Sequence, residues 1–315
     1  MNFKRILLSG GSGFIGSNLL DRLLIDGYEV FVIDNYRTGR RDNIAHHFNN
    51  PKCFFNKMDI QSKDMDTVFR IFKPEIVLHL AAMAGVPFSI ENPSDSNETN
   101  IQGTINLLEL SAKHNVKRFI FSSSSSIYGG SAVLPTSENI PANPKSPYAL
   151  QKKFGEEYCR MFSKLYDLDT VSLRYFNVFG KRQYGDSPYA SVISAFAEAI
   201  KNDERPIIYG DGEQTRDFTY IDNVIQANIK ACFAAYEQLI QNGVCREQAR
   251  GLLPTCTYTQ FIYTCNLHSF VHFLRLRLHP DAQYEIRVYA QGMLELAQPY
   301  FSVSLDAWQK KFLQK

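Results

Sequence analysis

Three groups of residues in the N-terminal half have the types and the spacing that one active site requires. The first is the glycine-rich turn Gly10–Gly16, which follows a short apolar run. The second is a run of serines, Ser122–Ser126, and the third is the pair Tyr148 and Lys152, four residues apart. A glycine turn of this kind suits a dinucleotide. Serine, tyrosine and lysine side chains together suit the removal of a proton from an alcohol.

Each glycine of the pattern Gly10-x-x-Gly13-x-x-Gly16 has a physical task at such a turn. The chain must bend sharply, bring its backbone close to a pyrophosphate and pack a helix closely on a sheet. Asp34 ends the next strand candidate, where a carboxylate would bond ribose hydroxyls and repel a 2′-phosphate. The pattern therefore predicts NAD rather than NADP. Three arginines that follow could weaken this preference: Arg37, Arg40 and Arg41. A glycine turn in some other α/β protein is the alternative interpretation.

The sequence around Tyr148 predicts a helix that presents Tyr148 and Lys152 on one face. Ser146 is a suitable N-cap and Pro147 suits the first helical position. A free phenol has a pKa of about 10 and is a poor base at neutral pH. A nearby ammonium and the positive nicotinamide ring would favour the phenolate. The alternative is an exposed helix with an ordinary tyrosine and lysine.

The first 180 residues alternate strand-like and helical segments, which predicts an α/β fold with a Rossmann-type doubly wound parallel sheet. The strand candidates are Arg5–Ser9, Glu29–Ile33, Cys53–Lys57, Ile76–Leu80, Phe119–Ser122 and Thr170–Tyr175. The helical candidates are Ser17–Ile25, Asn100–Lys113, Tyr148–Tyr166, Tyr189–Lys201 and 222–240, and a short strand is predicted at Ile207–Tyr209. We expect residues 1–180 to form the NAD-binding domain, with the helix 222–240 packed back on it.

The composition indicates an ordinary globular protein. The chain has 315 residues, 44% of them hydrophobic and 21% charged, and its net charge is +2. Neither a nucleic-acid partner nor a membrane is expected. The six cysteines contain no Cys-x-x-Cys pair, so we expect a reducing, cytoplasmic location. No metal is expected either, because one group of candidate ligands lacks the spacing of known zinc sites: Cys256, Cys265, His268 and His272.

The order of these motifs resembles the extended short-chain dehydrogenase/reductase family, and within it the nucleotide-sugar 4-epimerases. The resemblance covers about residues 3–242. The stretches that carry it are Gly10–Gly16, Asp34-Asn35, Asp59-Ile60, His79–Ala82, Ser122–Gly129, Ser146–Lys152, Arg174–Gly180 and Tyr209–Val224. It implies a smaller C-terminal region, 181–315, that binds a nucleotide sugar. It also implies a homodimer formed through the helices near Asn100–His114 and Tyr148–Tyr166.

The resemblance also implies roles for single residues. Ser124, Tyr148 and Lys152 would be catalytic. NAD would contact Gly10, Gly13, Phe14, Ile15, Gly16, Asp34, Asn35, Asp59, Ile60, Leu80, Ala81, Ala82, Asn100, Tyr148, Lys152 and Tyr175. A UDP-sugar would contact Ser89, Ser124, Asn177, Val192, Tyr209 and Arg216. A guanidinium suits a diphosphate because it binds bidentately.

The residues after the serine run bear on the reaction. Relatives that dehydrate their sugar carry an acidic pair where this chain has Ser125 and Ser126. The resemblance therefore implies epimerisation at C4 of a UDP-hexose or UDP-N-acetylhexosamine through a transient 4-keto sugar. The stretch Ala84–Ser89 is similar to UDP-glucuronate 4-epimerases, which keeps that substrate open. The sequence is also compatible with an NAD-binding member that is catalytically impaired, or with an enzyme that releases an oxidised or decarboxylated sugar.

The family pattern ends at about residue 242. Relatives carry an Asn-Val-Gly-Thr-Gly type stretch after this point and later a Gly-Asp-Ile/Val-Arg stretch. Codons can be chosen for Arg246–Arg250 and for Ala290–Glu295 such that a reading frame offset by two bases encodes motifs of this kind. The offset is the same in both places. We hypothesise that residues from about Cys245 to at least Gln298 are a frame-shifted translation, and a divergent tail is the alternative. A frame-shifted segment should have few buried contacts and poor secondary structure.

Overall fold

A computed structural model describes residues 4–130, 135–186, 190–208, 210–212, 214–233, 270–271, 274–275, 278 and 284–312. The chain divides into two compact units, Met1–Gln260 and Phe261–Lys315. All of the site residues predicted from the sequence belong to the first unit.

The first unit is built around a six-stranded sheet with the order β3-β2-β1-β4-β5-β6. The strands are β1 (Arg5–Ser9), β2 (Glu29–Asp34), β3 (Cys53–Lys57), β4 (Ile76–His79), β5 (Arg118–Ser124) and β6 (Asp169–Tyr175). All neighbouring strands in this sheet are parallel. The direction of strand progression reverses between β1 and β4, and ligands bind at the carboxyl ends beside such a point. The predicted doubly wound α/β sheet is confirmed.

Helices connect the strands of the first unit. They are α1 (Phe14–Ile25), α2 (Met65–Phe72), α3 (Val86–Glu91), α4 (Pro93–Asn97), α5 (Gly103–Lys113), α6 (Pro147–Tyr166), α7 (Val192–Lys201) and α8 (Ile221–Phe233). A short π-helix, Glu98–Gln102, precedes α5. Among the described helices, none is long and apolar enough to cross a membrane.

Both faces of the sheet are covered, which explains why its strands are apolar without alternation. In β1, Ile6 and Leu8 pack in a core cluster that includes residues of α1 and α8. Leu7 points the other way and packs in a second cluster with residues of α2, α5 and α6. The side chains of successive residues thus fill two cores, and the strand ends are held rigidly between them.

The segment after β6 differs in part from the prediction. The prediction of a strand at Ile207–Tyr209 is wrong for Ile207 and Ile208, which lie in no strand and are mostly exposed to solvent. Tyr209 lies outside the described residues. A small parallel pair forms elsewhere, between β7 (Val178–Phe179) and β8 (Thr219–Tyr220). Since these short strands lack a long apolar run, the sequence pattern did not reveal them.

The second unit contains the helix α9 (Tyr284–Phe312), which has Pro299 inside it and a non-helical backbone at Phe301. Ala290 and Leu294 are buried in a cluster with Trp308. The expectation of poor secondary structure is therefore wrong for residues 284–298. A four-residue spacing of apolar side chains forms an amphipathic helix whatever its origin. The candidate ligands Cys256, Cys265, His268 and His272 lie outside the described residues.

Candidate active site

The glycine-rich turn lies between β1 and α1 and leaves no space for side chains at two of its glycines. Gly10 has a φ of +72°, and a Cβ there would lie 2.6 Å from the Ala81 backbone nitrogen. A Cβ at Gly16 would lie 2.1 Å from the Gly10 carbonyl oxygen. Gly13 is the N-cap of α1, so Phe14 and Ile15 form its first turn. The result is a bare backbone cradle at a helix N-terminus, which fits a pyrophosphate.

Asp34 lies at the end of β2, directly beside this turn. It is buried, and its carboxylate accepts hydrogen bonds from the backbone N–H groups of Ser12 and Tyr36, each at 2.8 Å. Burial raises the pKa of Asp34, while these hydrogen bonds oppose the rise. The carboxylate is thus fixed at the strand end, where the predicted contact to the ribose hydroxyls requires it.

The three arginines after Asp34 make contacts elsewhere. The Arg37 guanidinium forms an ion pair with Asp95. Arg40 stacks 3.6 Å from the centre of the Tyr184 ring, and Arg41 lies over a phenylalanine ring. These contacts direct the guanidinium groups to other side chains, and the hydrogen bonds described for Asp34 come from backbone N–H groups. The arrangement favours NAD over NADP.

The predicted adenine contacts lie at the ends of β2 and β3. Asn35 donates to the Asp59 carboxylate at 2.8 Å, and the same carboxylate accepts the Gln61 N–H at 2.9 Å. Ile60 is buried, and its carbonyl accepts a hydrogen bond from the Asn106 side chain. These bonds fix the positions of Asp59 and Ile60 at the carboxyl ends of the strands, where the adenine is predicted to bind.

The next group of predicted NAD contacts lies directly after β4. Leu80, Ala81 and Ala82 leave the strand there, and the Ala81 N–H donates to the Ser9 hydroxyl at 3.3 Å. Asn100 faces this segment from the π-helix and bonds both the N–H and the carbonyl of Met83. A π-helix within a longer helical stretch is often found at functional sites. Here it directs the Asn100 amide toward the backbone beside the glycine turn.

The role of the buried histidine at the end of β4, His79, was not identified from the sequence. His79 accepts or donates hydrogen bonds at both ring nitrogens, to Ser9 at 2.8 Å and to Thr104 at 2.9 Å. Thr104 donates its own proton to the Asn100 carbonyl, so it accepts from His79 and leaves the other ring nitrogen to accept from Ser9. Burial, with a smaller effect of Lys152, lowers the pKa of His79 to about 3. His79 is therefore a neutral structural link.

The three predicted catalytic side chains meet at the ends of β5 and α6. The Ser146 hydroxyl caps α6 by accepting the Ala149 N–H at 3.2 Å, as the sequence indicated. Tyr148 is the second residue of the helix, and its phenol is hydrogen-bonded to the side chain of Ser124. Lys152 follows one turn later on the same face, with its Nζ 5.8 Å from the centre of the Tyr148 ring.

Lys152 is held in one position. Its side chain is buried, and its Nζ donates to the Ser122 carbonyl oxygen at 2.7 Å. Burial lowers the pKa of Lys152 to about 8. The group is thus mainly protonated at neutral pH and supplies a positive charge beneath Tyr148.

The pKa of Tyr148 is set mainly by burial in the protein without NAD. Burial raises this pKa above its ordinary value, and the hydrogen bond with Ser124 opposes the rise. Lys152 lies over the ring face and gives a hydrogen bond to Ser122. The expected stabilisation of the phenolate depends on the Lys152 ammonium together with the positive nicotinamide ring, and it stays a prediction for the protein with NAD bound.

A second polar network lies directly behind the catalytic group and was missed in the sequence. Glu156 follows Lys152 by one turn of α6, is buried, and forms a two-point ion pair with Arg174 at 2.8 and 2.7 Å. The Ser123 hydroxyl donates to the same carboxylate at 2.5 Å. Arg174 also donates to the Tyr128 hydroxyl at 2.7 Å. The network ties α6 to the serine run and to β6. The four-residue spacing of Tyr148, Lys152 and Glu156 was the available signal.

Two predicted contact residues have other roles in the structure. Ser89 is fully buried, donates to the Val86 carbonyl and accepts the Tyr148 N–H at 3.1 Å. These bonds direct its hydroxyl to the start of α6, and its contact with the substrate stays a prediction. The Tyr175 hydroxyl donates to the Asn228 side chain at 2.9 Å, and burial raises its pKa to about 12. Tyr175 therefore lies at the end of β6 as a neutral hydrogen-bonding group.

The remaining predicted substrate residues lie on the segment after β6. Asn177 and Val192 are exposed, and the Asn177 amide donates to the Asp217 carbonyl at 2.9 Å. The exposed Arg216 guanidinium donates to its neighbours, the Thr215 carbonyl at 2.8 Å and the Gln214 side chain at 2.9 Å. Tyr209 lies outside the described residues. The contacts that Arg216 makes are local, and a diphosphate would offer its guanidinium stronger ones.

Comparison with known proteins agrees with this geometry. Residues 6–239 match the profile of the NAD dependent epimerase/dehydratase family. The chain belongs to this family. A UDP-glucose 4-epimerase from Mycolicibacterium smegmatis is 40% identical over 230 residues, which cover 72% of each protein.

Solved structures of 4-epimerases match most of the chain. A UDP-N-acetylglucosamine 4-epimerase from Methanobrevibacter ruminantium M1, in complex with UDP-N-acetylmuramic acid, is 43% identical, with a TM-score of 0.70 and 73% of each chain covered. A UDP-glucuronic acid 4-epimerase from Bacillus cereus, in complex with UDP-glucuronic acid and NAD, is 34% identical, with a TM-score of 0.68 and 73% of each chain covered. Both the predicted family and the NAD cofactor are confirmed.

Proposed function

We propose that this protein is an NAD-dependent 4-epimerase of a UDP-sugar. The observation that carries the proposal is the meeting of Ser124, Tyr148 and Lys152 where β5 ends and α6 begins. The family match and the 4-epimerases among its relatives support the same reaction. NAD is the reversible hydride acceptor that this reaction needs at C4 of the sugar.

The cradle at Gly10 and Gly16, and the carboxylate of Asp34, are the parts of the chain that would hold the cofactor. Tyr148 would take the proton from the 4-hydroxyl of the sugar and return it after the 4-keto sugar has turned over. Ser124 would position the oxygen by a hydrogen bond. The Lys152 ammonium would stabilise the phenolate, because opposite charges in a buried site favour ionisation. A general base of this kind accelerates a reaction by roughly 10²- to 10⁴-fold.

The substrate is a UDP-hexose or a UDP-N-acetylhexosamine in this proposal. Asn177, Val192, Tyr209 and Arg216 are assigned to the nucleotide sugar, with the Arg216 guanidinium on the diphosphate. UDP-glucuronate is the second candidate, supported by the stretch Ala84–Ser89 and by the similarity to the Bacillus cereus enzyme. Since Ser125 and Ser126 replace the acids of dehydratases, we expect no elimination.

The test supplies the purified protein separately with UDP-glucose, UDP-N-acetylglucosamine and UDP-glucuronate. We expect one of them to give its C4 epimer while the nicotinamide absorbance returns to its starting value. Stoichiometric NADH would instead indicate an enzyme that releases an oxidised or decarboxylated sugar. Bound NAD without turnover of any UDP-sugar would indicate the impaired member of the family.

We also propose a homodimer in the cytoplasm that acts in polysaccharide biosynthesis. The dimer proposal rests on one face of α6, which exposes large apolar side chains at a helical spacing: Leu150, Phe154, Met161 and Leu165. Light scattering should give twice the mass of the chain. Phe154→Asp should lower that mass toward the monomer, and an unchanged mass would contradict this interface.

For the C-terminal part we keep the frame-shift proposal. The family match ends at residue 239, close to the predicted break. We propose that residues 181–315 form the substrate region, with the tail from about Cys245 to at least Gln298 translated out of frame. Reading the coding DNA in all three frames tests this proposal. A tail without family motifs in any other frame would contradict it.

A further inference from the structure

Three side chains of α1 and of a short 3-10 helix form a cluster that has no part in the proposed reaction. Asp21 lies in the middle of α1, and His46 and His47 end the short 3-10 helix Ala45–His47. The Nε2 atoms of His46 and His47 lie 3.0 and 2.7 Å from the same oxygen of Asp21, Oδ1. We call these three residues the Asp21 cluster. The sequence pattern did not reveal it, because 25 residues separate Asp21 from His46.

We propose that the Asp21 cluster binds one divalent transition-metal ion of the zinc type. The potential ligand atoms of the three residues all lie within 4.8 Å of one another. Imidazole nitrogen and carboxylate oxygen are ligands that Zn²⁺ takes in tetrahedral sites, with bonds of about 2.0–2.2 Å. Such bonds place the ligand atoms roughly 3.3 Å apart. The Nε2–Oδ1 distances of 3.0 and 2.7 Å would therefore have to lengthen by about 0.3 and 0.6 Å to admit the ion.

A fourth side chain, that of Arg182, orients the Asp21 carboxylate as a metal ligand requires. Arg182 donates to the other carboxylate oxygen of Asp21, Oδ2, at 2.8 Å. Ligating carboxylates are commonly oriented by hydrogen bonds of this kind to the oxygen that does not bind the metal. Arg182 therefore fixes the carboxylate while Oδ1 remains directed at the two imidazoles. Water would supply the fourth ligand, since His46 is about half exposed.

Binding requires a change of tautomer at both histidines. In the metal-free cluster each Nε2 donates its proton to Asp21 Oδ1. In the metal complex each Nε2 offers its lone pair to the ion, and the ring proton is carried by Nδ1. The two hydrogen bonds to Asp21 Oδ1 are lost, and bonds from the ion to the two Nε2 atoms and to Oδ1 replace them. The ion would join α1 to the segment that follows β2, so we expect it to stabilise the NAD-binding domain without entering the reaction.

A matched control exists on the opposite face of the sheet, between α2 and the end of α5. His114 Nε2 lies 2.8 Å from Asp66 Oδ1, but the second cation on that carboxylate is Lys113 and not a histidine. This pair reproduces the histidine–carboxylate contact without a second imidazole. His114→Gln is therefore the control for His46→Gln and His47→Gln. A glutamine amide can donate the same hydrogen bond to the carboxylate but is a poor ligand for zinc.

The test titrates Zn²⁺ into full-length protein without a histidine tag, after removal of metals by a chelator. We expect one Zn²⁺ per chain, a raised melting temperature, and the visible absorption of a tetrahedral complex when Co²⁺ is used. Loss of a residue that only orients a ligand already weakens metal affinity by roughly 10- to 100-fold. His46→Gln and His47→Gln should therefore each weaken binding by at least tenfold, and His114→Gln should leave it unchanged.

Three results would overturn the proposal. They are the absence of stoichiometric binding to the parental protein, undiminished binding by the double variant His46→Gln/His47→Gln, and an equal loss in His114→Gln. Mg²⁺ should not compete, because it prefers a shell of oxygen ligands. Effective competition by Mg²⁺ would show that the carboxylate alone binds cations. The melting curves without metal show whether each variant is folded, so a failure to fold is not mistaken for loss of the site.

Discussion

Replacing Glu156 by Gln should damage both the stability and the chemistry of the site, whereas the same change at Glu157 should not. The Glu156 side chain is only 4% exposed and faces Arg174 at two points, with Ser123 on the same carboxylate. Glu157 is the next residue, but its carboxylate is 37% exposed and pairs with Lys153 and Arg160 on the surface. The two variants remove the same charge from neighbouring positions of α6.

The expected magnitudes follow from burial. Breaking a buried ion pair by removing one partner costs about 3–5 kcal/mol. Arg174 is 21% exposed and keeps its hydrogen bond to Tyr128, so we expect about 2–3 kcal/mol for Glu156→Gln. For a chain of this size that corresponds to a fall of roughly 3–5 °C in melting temperature. Surface pairs such as those of Glu157 are worth about 0.2–1 kcal/mol, which corresponds to less than roughly 2 °C.

The effect on activity separates a positioning role from a merely structural one. Glu156 holds Ser123, which is adjacent to Ser124, and belongs to the helix that carries Tyr148 and Lys152. A small displacement of reacting groups can cost about 10²-fold in rate. At a temperature where both variants are folded, Glu156→Gln should lower kcat at least tenfold with little change in KM or in bound NAD. Equal melting temperatures and equal kcat values for the two variants would refute this reasoning.

Further predictions concern the cofactor, the base, the diphosphate and pH. Gly16→Ala should yield protein with little bound NAD, because its Cβ would lie 2.1 Å from the Gly10 carbonyl oxygen; a normal NAD content after acid extraction would contradict the cradle. Tyr148→Phe should keep NAD and lose roughly 10²- to 10⁴-fold in epimerisation rate, whereas near-parental turnover would exclude Tyr148 as the base. Arg216→Ala should abolish UDP binding in calorimetry while the NAD content stays unchanged, and undiminished affinity would place the nucleotide elsewhere. The pKa of His79 is about 3 in the folded protein and about 6.5 in the unfolded chain. Between these pH values mainly the unfolded chain binds the proton. The free energy of unfolding should therefore decrease as the pH falls through this range. His79→Gln should reduce that slope in melting experiments, and an unchanged slope would exclude His79 as its source.

Much of the Rossmann-type sheet was predictable because its strands are buried on both faces. β1 and β3 have the predicted bounds. Each of the other four strands of this sheet differs from its predicted bounds by one to three residues. The short strands β7 and β8 were not predictable, since two residues each show no periodicity. At the site, the order and spacing of the motifs pointed to Tyr148, Lys152 and a serine of the run Ser122–Ser126, and the family resemblance selected Ser124.

What the sequence could not reveal depends on contacts between distant segments. The role of Glu156 depends on Arg174, which lies on another strand, and the burial of His79 depends on Ser9 and Thr104. Ser89 was assigned to the substrate because its stretch resembles a family motif, yet its hydroxyl faces the start of α6. The extent to which burial raises the pKa of Tyr148 was not predictable, because desolvation is set by packing and not by spacing.

The central claim is that the sugar loses and regains hydrogen at C4 within one closed site. The most direct measurement uses a UDP-sugar with deuterium on C4, incubated with the protein and followed by nuclear magnetic resonance. We predict that the C4 epimer forms and retains the deuterium on C4, because the same hydrogen leaves and returns as a hydride. A product whose C4 deuterium has exchanged with water, or the absence of any C4 epimer, would contradict the account.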